Sequence, residues 1–83
     1  MKISVRYFAS IREAIGQGSE AVETAAATLG ALRDELIARG GAHATSLARG
    51  KAVRMALNQT LSDESAPLAD GAEVAFFPPV TGG

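Results

Sequence analysis

The chain has 83 residues, 47% of them hydrophobic and 20% charged, with no cysteine, one histidine and a formal net charge of −1. Such a composition belongs to one folded globular domain that buries only about 60–65% of its unfolded surface. It argues against nucleic acid or an anionic membrane as the main ligand, and the lack of cysteine excludes any thiolate, persulfide or side-chain thioester.

Residues 2–8 alternate with period two, Ile3, Val5 and Tyr7 on one face and Lys2, Ser4, Arg6 and Phe8 on the other, so they read as a strand. The aromatic Phe8 is out of place on the polar face. An alternating start is not the continuous apolar run of a signal peptide, and no stretch of eighteen apolar residues follows, so a cytoplasmic location is expected. Ser10 and Glu13 have the spacing of a capping box, predicting a short helix that Gly16 and Gly18 stop. Residues 19–24 alternate weakly and suggest a second strand paired with the first.

The main helix is predicted from Thr28 to Arg39. Leu29, Leu32, Leu36 and Ile37 share one face, Thr28 supplies an N-cap, Glu35 and Arg39 stand one turn apart, and Gly40 and Gly41 end the helix. Residues 42–50 read as a short helix or an irregular connection. With no cysteine or second histidine to share a metal or a triad, His43 is expected to be structural or solvent-exposed. No metal site is expected.

A third strand spans residues 51–58, with Val53, Met55 and Leu57 alternating inward. Asn58, Gln59 and Thr60 are turn-forming, Leu61 is a lone apolar residue, and Asp63 and Glu64 read as a solvated turn, not an acid/base pair. Residues 67–71 close on Asp70-Gly71 and lead into a last strand, residues 72–77, with Val74 and Phe76 inward and Glu73, Ala75 and Phe77 outward. Strand, strand, helix, strand, strand in one small domain predicts an α+β fold with a helix packed across the sheet. Phe8 and Phe77 both sit at strand ends on the face away from the core. If the first and last strands are neighbours, these rings form an exposed apolar patch, which Leu61 joins, of the kind partners bind. Arg12, Lys51 and Arg54 are open between steering partners and supporting the fold.

Pro78 and Pro79 end the last strand because proline offers no amide to the ladder, and together they favour a stiff, extended path. Residues 78–83 then form a flexible functional tail on the 1–83 domain, and Pro79 to Gly83 reach roughly 17 Å when extended. Gly82 and Gly83 lack Cβ atoms, so a carboxylate at Gly83 passes through a narrow channel. A terminal carboxylate with a pKa of about 3.3–3.7 is an anion and a poor electrophile, so chemistry there needs prior activation, as by adenylation.

Leu57-Asn58-Gln59-Thr60-Leu61, Pro67-Leu68-Ala69-Asp70-Gly71 and the run from Glu73 to Gly83 closely resemble the C-terminal third of the molybdopterin synthase small-subunit family. Val5-Arg6-Tyr7-Phe8-Ala9 with Arg12-Glu13 resembles that family's opening. The likeness is specific at the tail and loose between residues 16 and 50. It implies a ubiquitin-like β-grasp fold, a mixed sheet with one main helix across it and a protruding Gly-Gly tail. It also implies sulfur carriage: an ATP-dependent activating enzyme adenylates Gly83, and a separate sulfur donor converts the adenylate to a thiocarboxylate. The tail (Pro78, Pro79, Val80, Thr81, Gly82) then enters the large subunit of molybdopterin synthase, whose residues convert a cyclic pyranopterin to the dithiolene. The family assembly is a heterotetramer. No cofactor is expected on this chain itself, ATP being used by the activating enzyme, and Phe8, Leu61 and Phe77 are expected to form the partner interface. Three alternatives remain: a thiazole-forming sulfur carrier of thiamine synthesis, a ubiquitin-like protein modifier, and an interaction domain with an inert tail.

Overall fold

The computed structural model of the chain describes residues 1–79, so Val80, Thr81, Gly82 and Gly83 of the expected tail lie outside the described residues. The period-two pattern forms strand β1 (Lys2–Tyr7), in which Ile3, Val5 and Tyr7 are at most 1% exposed. Phe8 does not continue the strand. It is the N-cap of helix α1 (Ala9–Ile15), where its carbonyl accepts from the amides of Ile11 and Arg12 at 3.2 Å. The capping box expected from Ser10 and Glu13 does not form. The chain already turns at Ala9, whose φ is 50, so the helix begins ahead of Ser10 and that side chain is no longer at the cap. Gly16 closes α1 in the left-handed conformation, φ 87, as predicted.

Strand β2 (Ser19–Glu23) pairs antiparallel with β1. Helix α2 (Leu29–Ile37) starts after Thr28, whose hydroxyl accepts from the Ala31 amide at 3.2 Å. Two more amides at that end are satisfied by the loop before the last strand, Leu29 by the Ala66 carbonyl at 3.0 Å and Gly30 by the Glu64 carbonyl at 2.9 Å. Gly30 permits this close approach, since a Cβ there would stand 3.2 Å from the Glu64 carbonyl oxygen. Leu29, Leu32 and Leu36 are fully buried and Ile37 partly so, matching the predicted face.

The expected Glu35–Arg39 pair does not form. α2 ends at Ile37, Arg39 lies past its C-cap and reaches Glu20 on β2 at 2.7 Å, and Glu35 accepts from the Thr24 hydroxyl. Gly40, φ 78, turns the chain into α3 (Gly41–Ser46), so the region after the main helix is a short helix.

Strand β3 (Arg54–Leu57) is shorter than the predicted span, and Val53 packs against the core just ahead of it. Asn58 and Gln59 both have positive φ, 50 and 69, the pattern of a two-residue type I′ hairpin turn. They lead into β4 (Thr60–Ser62), so Leu61 lies in a strand and not in a loop; three residues are too few to display an alternation. The last strand, β5 (Glu73–Phe77), buries Val74 and Phe76 as predicted.

The sheet order is β2-β1-β5-β3-β4. β5 lies between β1 and β3, parallel to the first and antiparallel to the second. Ile11, Leu29, Leu32, Leu36 and Leu47 from the helical layer close the core over Ile3, Val5, Tyr7, Met55, Val74 and Phe76. A mixed five-stranded sheet with its main helix packed on one face is the ubiquitin-like β-grasp, an α+β fold. No helix among the described residues is long and apolar enough to cross a membrane.

Arg33 on α2 is 4% exposed and ties the middle of the chain together. Its guanidinium donates to the carbonyls of Leu47 and Ala48 at 2.8 Å and of Lys51 at 3.3 Å, and to Glu64 at 3.1 Å. Glu64 also pairs with Arg49, so it is half-buried in an ion network instead of standing in a solvated turn; Asp63 alone does that, accepting from the Ser65 amide at 2.9 Å.

Candidate functional site

Because β1 and β5 are neighbours in parallel register, Tyr7 opposite Phe76, the two residues that follow, Phe8 and Phe77, come to the same end of the sheet. The Phe8 amide donates to the Phe76 carbonyl at 3.1 Å, which extends the pairing one step beyond β1. Phe8 then turns its ring outward at 39% exposure, with the Arg6 guanidinium carbon 5.5 Å from the ring centroid. Phe77 is half-buried beside it. Arg6, Phe8, Gln59, Glu73, Ala75 and Phe77 line one open hollow on the face of the sheet away from the helices.

Leu61 lies on the same face by register. It stands opposite Ala56, which stands opposite Ala75, which stands opposite Arg6. The two alanines leave a low trough between Leu61, 63% exposed, and the aromatic pair. With strands about 4.8 Å apart, Leu61 is roughly 10 Å across the sheet from the β5 row. It borders a separate hollow with Val53, Arg54 and Met55. The structure therefore joins Phe8 and Phe77 directly and sets Leu61 apart on the same surface.

The opposite face supports these strand ends. Tyr7 and Phe76, one residue before each exposed phenylalanine, stack with ring centroids 6.3 Å apart, and His43 meets Tyr7 edge-on at 5.8 Å. Four polar side chains converge on Glu20: the Tyr7 hydroxyl donates at 2.7 Å, Arg39 at 2.7 Å and Gln17 at 3.3 Å, and His43 Nε2 lies 3.1 Å away. Burial alone would raise the Glu20 carboxyl. Hydrogen bonds from Arg39, Tyr7 and His43, with the Arg39 charge, outweigh it and hold the group at about 2. Burial, the hydrogen bond to Glu20 and that carboxylate's charge push the Tyr7 hydroxyl well above the ordinary tyrosine range, so it remains a donor. His43 is thus structural, one of the two outcomes expected. Gln17 and Glu20 are near one another in sequence, as are Arg39 and His43, but nothing local links the first pair to the second; only the fold brings them together.

At the root of the tail, Pro78 and Pro79 are both half-buried, and Pro78 forms one wall of a cleft between α1, α3 and the segment leading into β3. The remaining tail positions expected to act, Val80, Thr81, Gly82 and Gly83, are outside the described residues.

The profile of the ThiS family fits residues 5–83. The chain belongs to the ThiS family. It is similar along its whole length to molybdopterin synthase sulfur carrier subunits: 46% identical over 81 residues to that of Escherichia coli (strain K12), covering 98% of this chain and 99% of the relative. The same subunit of Mycobacterium tuberculosis is 39% identical over 85 residues, covering 100% and 99%. Among solved structures, one chain in the complex of subunits 1 and 2 of the molybdopterin-converting factor from Helicobacter pylori is 30% identical, with a TM-score of 0.70 and full coverage of both chains. SAMP1 from Haloferax volcanii is 26% identical, with a TM-score of 0.77 and full coverage of both. At that identity and coverage the chain groups with the molybdopterin synthase sulfur carrier subunits within the ThiS family.

Proposed function

We propose that this chain carries sulfur on the carboxyl group of Gly83 and delivers it to a cyclic pyranopterin held by a molybdopterin synthase large subunit. The carrying observation is the full-length likeness, at 39–46% identity, to molybdopterin synthase sulfur carrier subunits. Chemistry supports it, because a chain without cysteine has no side chain on which transferable sulfur could ride. In this reading the Gly83 carboxylate attacks the α-phosphorus of ATP on an activating enzyme and displaces pyrophosphate. A hydrosulfide equivalent from a sulfur donor then attacks the acyl carbon, AMP leaves, and a thiocarboxylate remains. After transfer to the pterin, water returns the end group to a carboxylate for reloading.

Phe8 and Phe77 serve as the docking platform, with Leu61 as a second anchor, and Pro78, Pro79, Val80, Thr81 and Gly82 deliver Gly83 at a set distance from it. Such positioning converts an encounter into an oriented reaction. The large subunit is the expected partner because the Helicobacter pylori relative is found in complex with its subunit 2. The activating enzyme must use the same platform at a different time, so the two partners compete. The heterotetramer and a cytoplasmic location belong to the same reading.

Intact-mass measurement of the chain incubated with activating enzyme, ATP and a sulfide donor tests it. One oxygen replaced by sulfur on the full chain, and no change on a chain ending at Gly82, is the expected result. Normal molybdopterin formation from a chain whose Gly83 is amidated would overturn it. The SAMP1 likeness raises the protein-modifier alternative, but at 26% it is the weaker match; ladders of conjugates on other proteins would favour that reading.

A further inference from the structure

The cleft that Pro78 walls has a volume of about 180 Å³. That is below the ~300–1,000 Å³ of sites that enclose small molecules, and it suits a single side chain. Its lining combines the apolar residues Ile11, Ala14 and Val53 with Ser10, Ser46 and Lys51, and includes no acidic residue. Lys51, like Arg12 on α1, takes part in none of the ion pairs among the described residues, whereas Arg33, Arg39 and Arg49 are paired; of the two, only Lys51 lines this cleft. Its position is set from inside the fold: the Lys51 carbonyl accepts from buried Arg33, and its amide donates to the Ala48 carbonyl at 2.9 Å.

Further positive charge stands at the same end of the sheet. Arg54 is opposite Phe77 in register, and Arg6 lies over Phe8, 3.8 Å from Glu73. Glu73, Asp63 and Glu64 are the acids that border the two hollows of the open face, and Glu13 is on α1. Asp63 and Glu64 are held by Ser65, Arg33 and Arg49. A chain of net charge −1 thus lines a side-chain-sized cleft with a cation that has no ion-pair partner among the described residues, and Pro78, which follows Phe77 of the proposed platform, forms one wall of it.

We infer that this cleft receives an acidic side chain of the large-subunit partner, with its methylenes against Ile11, Ala14 and Val53 and its carboxylate on Lys51. The inference rests on the proposed function for the identity of the partner. It adds a charged anchor to the apolar platform, sets the rotation of the docked chain about the tail axis, and speeds association with an acidic surface.

Surface plasmon resonance on an immobilised large subunit tests it, using the full chain at low and high salt. Lys51→Glu should slow association about tenfold or more at low ionic strength and lose most of that effect at high salt, with Lys51→Met intermediate. Lys2→Glu, the same charge change on β1 away from the cleft, should stay within about twofold of the unaltered chain. The Lys51 effect should persist in a chain ending at Pro79, which places the occupant on the partner. Its disappearance there would assign the cleft to the chain's own end and overturn the inference. Equal rates for the Lys51 and Lys2 variants would overturn it too, leaving only net charge. If the unaltered chain fails to bind the large subunit, the functional reading falls with it; if it binds and accepts sulfur while Lys51→Glu behaves normally, only the cleft assignment falls.

Discussion

Replacing Glu20 with Gln keeps the shape of the side chain and removes the charge on which Tyr7, Arg39, Gln17 and His43 converge. The folded-state carboxyl is held at about 2 against a reference of 4.5. At about 1.36 kcal/mol per pH unit, that depression is worth at most about 3 kcal/mol. Arg39 is 40% exposed, so screening reduces the expected value to about 2 kcal/mol, or roughly 10 °C in melting temperature for a domain of this size. The folded pKa lies below the unfolded one, so this contribution is complete above pH 4.5 and is lost as pH falls toward 2. Urea unfolding followed by far-ultraviolet circular dichroism, for the two chains side by side, reads the gap directly and cancels the other carboxylates. The gap should be widest near neutrality and close as the solution is acidified through that window. A gap of constant size across it would refute the assignment of the low pKa to this network.

Arg33→Ala should cost about 3 kcal/mol or more, because the carbonyls of Leu47, Ala48 and Lys51 and the Glu64 carboxylate all lose their donor inside the fold. Arg33→Lys should recover only part of it, since one ammonium cannot span a fork of acceptors, and a loss below about 1 kcal/mol for the alanine variant in the same urea assay would contradict the clamp. Phe77→Asp should leave the dichroism spectrum unchanged and weaken binding to the large subunit at least about tenfold by calorimetry. Leu61→Asp should do less, as Leu61 borders a different hollow from the aromatic pair.

Much of this architecture could be read from periodicity. Ile3, Val5 and Tyr7, the leucines of α2, and Val74 with Phe76 all declare themselves by spacing, and each is buried where the pattern puts it. The capping of α1 could not be read, because Ser10 and Glu13 satisfy a local rule that the turn at Ala9 overrides. Nor could β4, whose three residues form a strand only because Asn58 and Gln59 fold them back onto β3. Arg39 shows the same limit: its local partner Glu35 was the expected one, yet Glu20, distant in sequence, is nearer once β2 lies beside the helix.

The sequence alone determined which residues go inside, where the last strand must stop, and that no side-chain thiol is available, because burial, proline geometry and thiol chemistry are properties of residue type and local order. The tertiary structure decided that Phe8 and Phe77 are neighbours, that Glu20 gathers four donors and contacts, and that Lys51 shares a cleft with Pro78 and has no ion-pair partner among the described residues. Those are contacts between segments remote along the chain, and their energies depend on a sheet order, β1 next to β5, that no local pattern encodes.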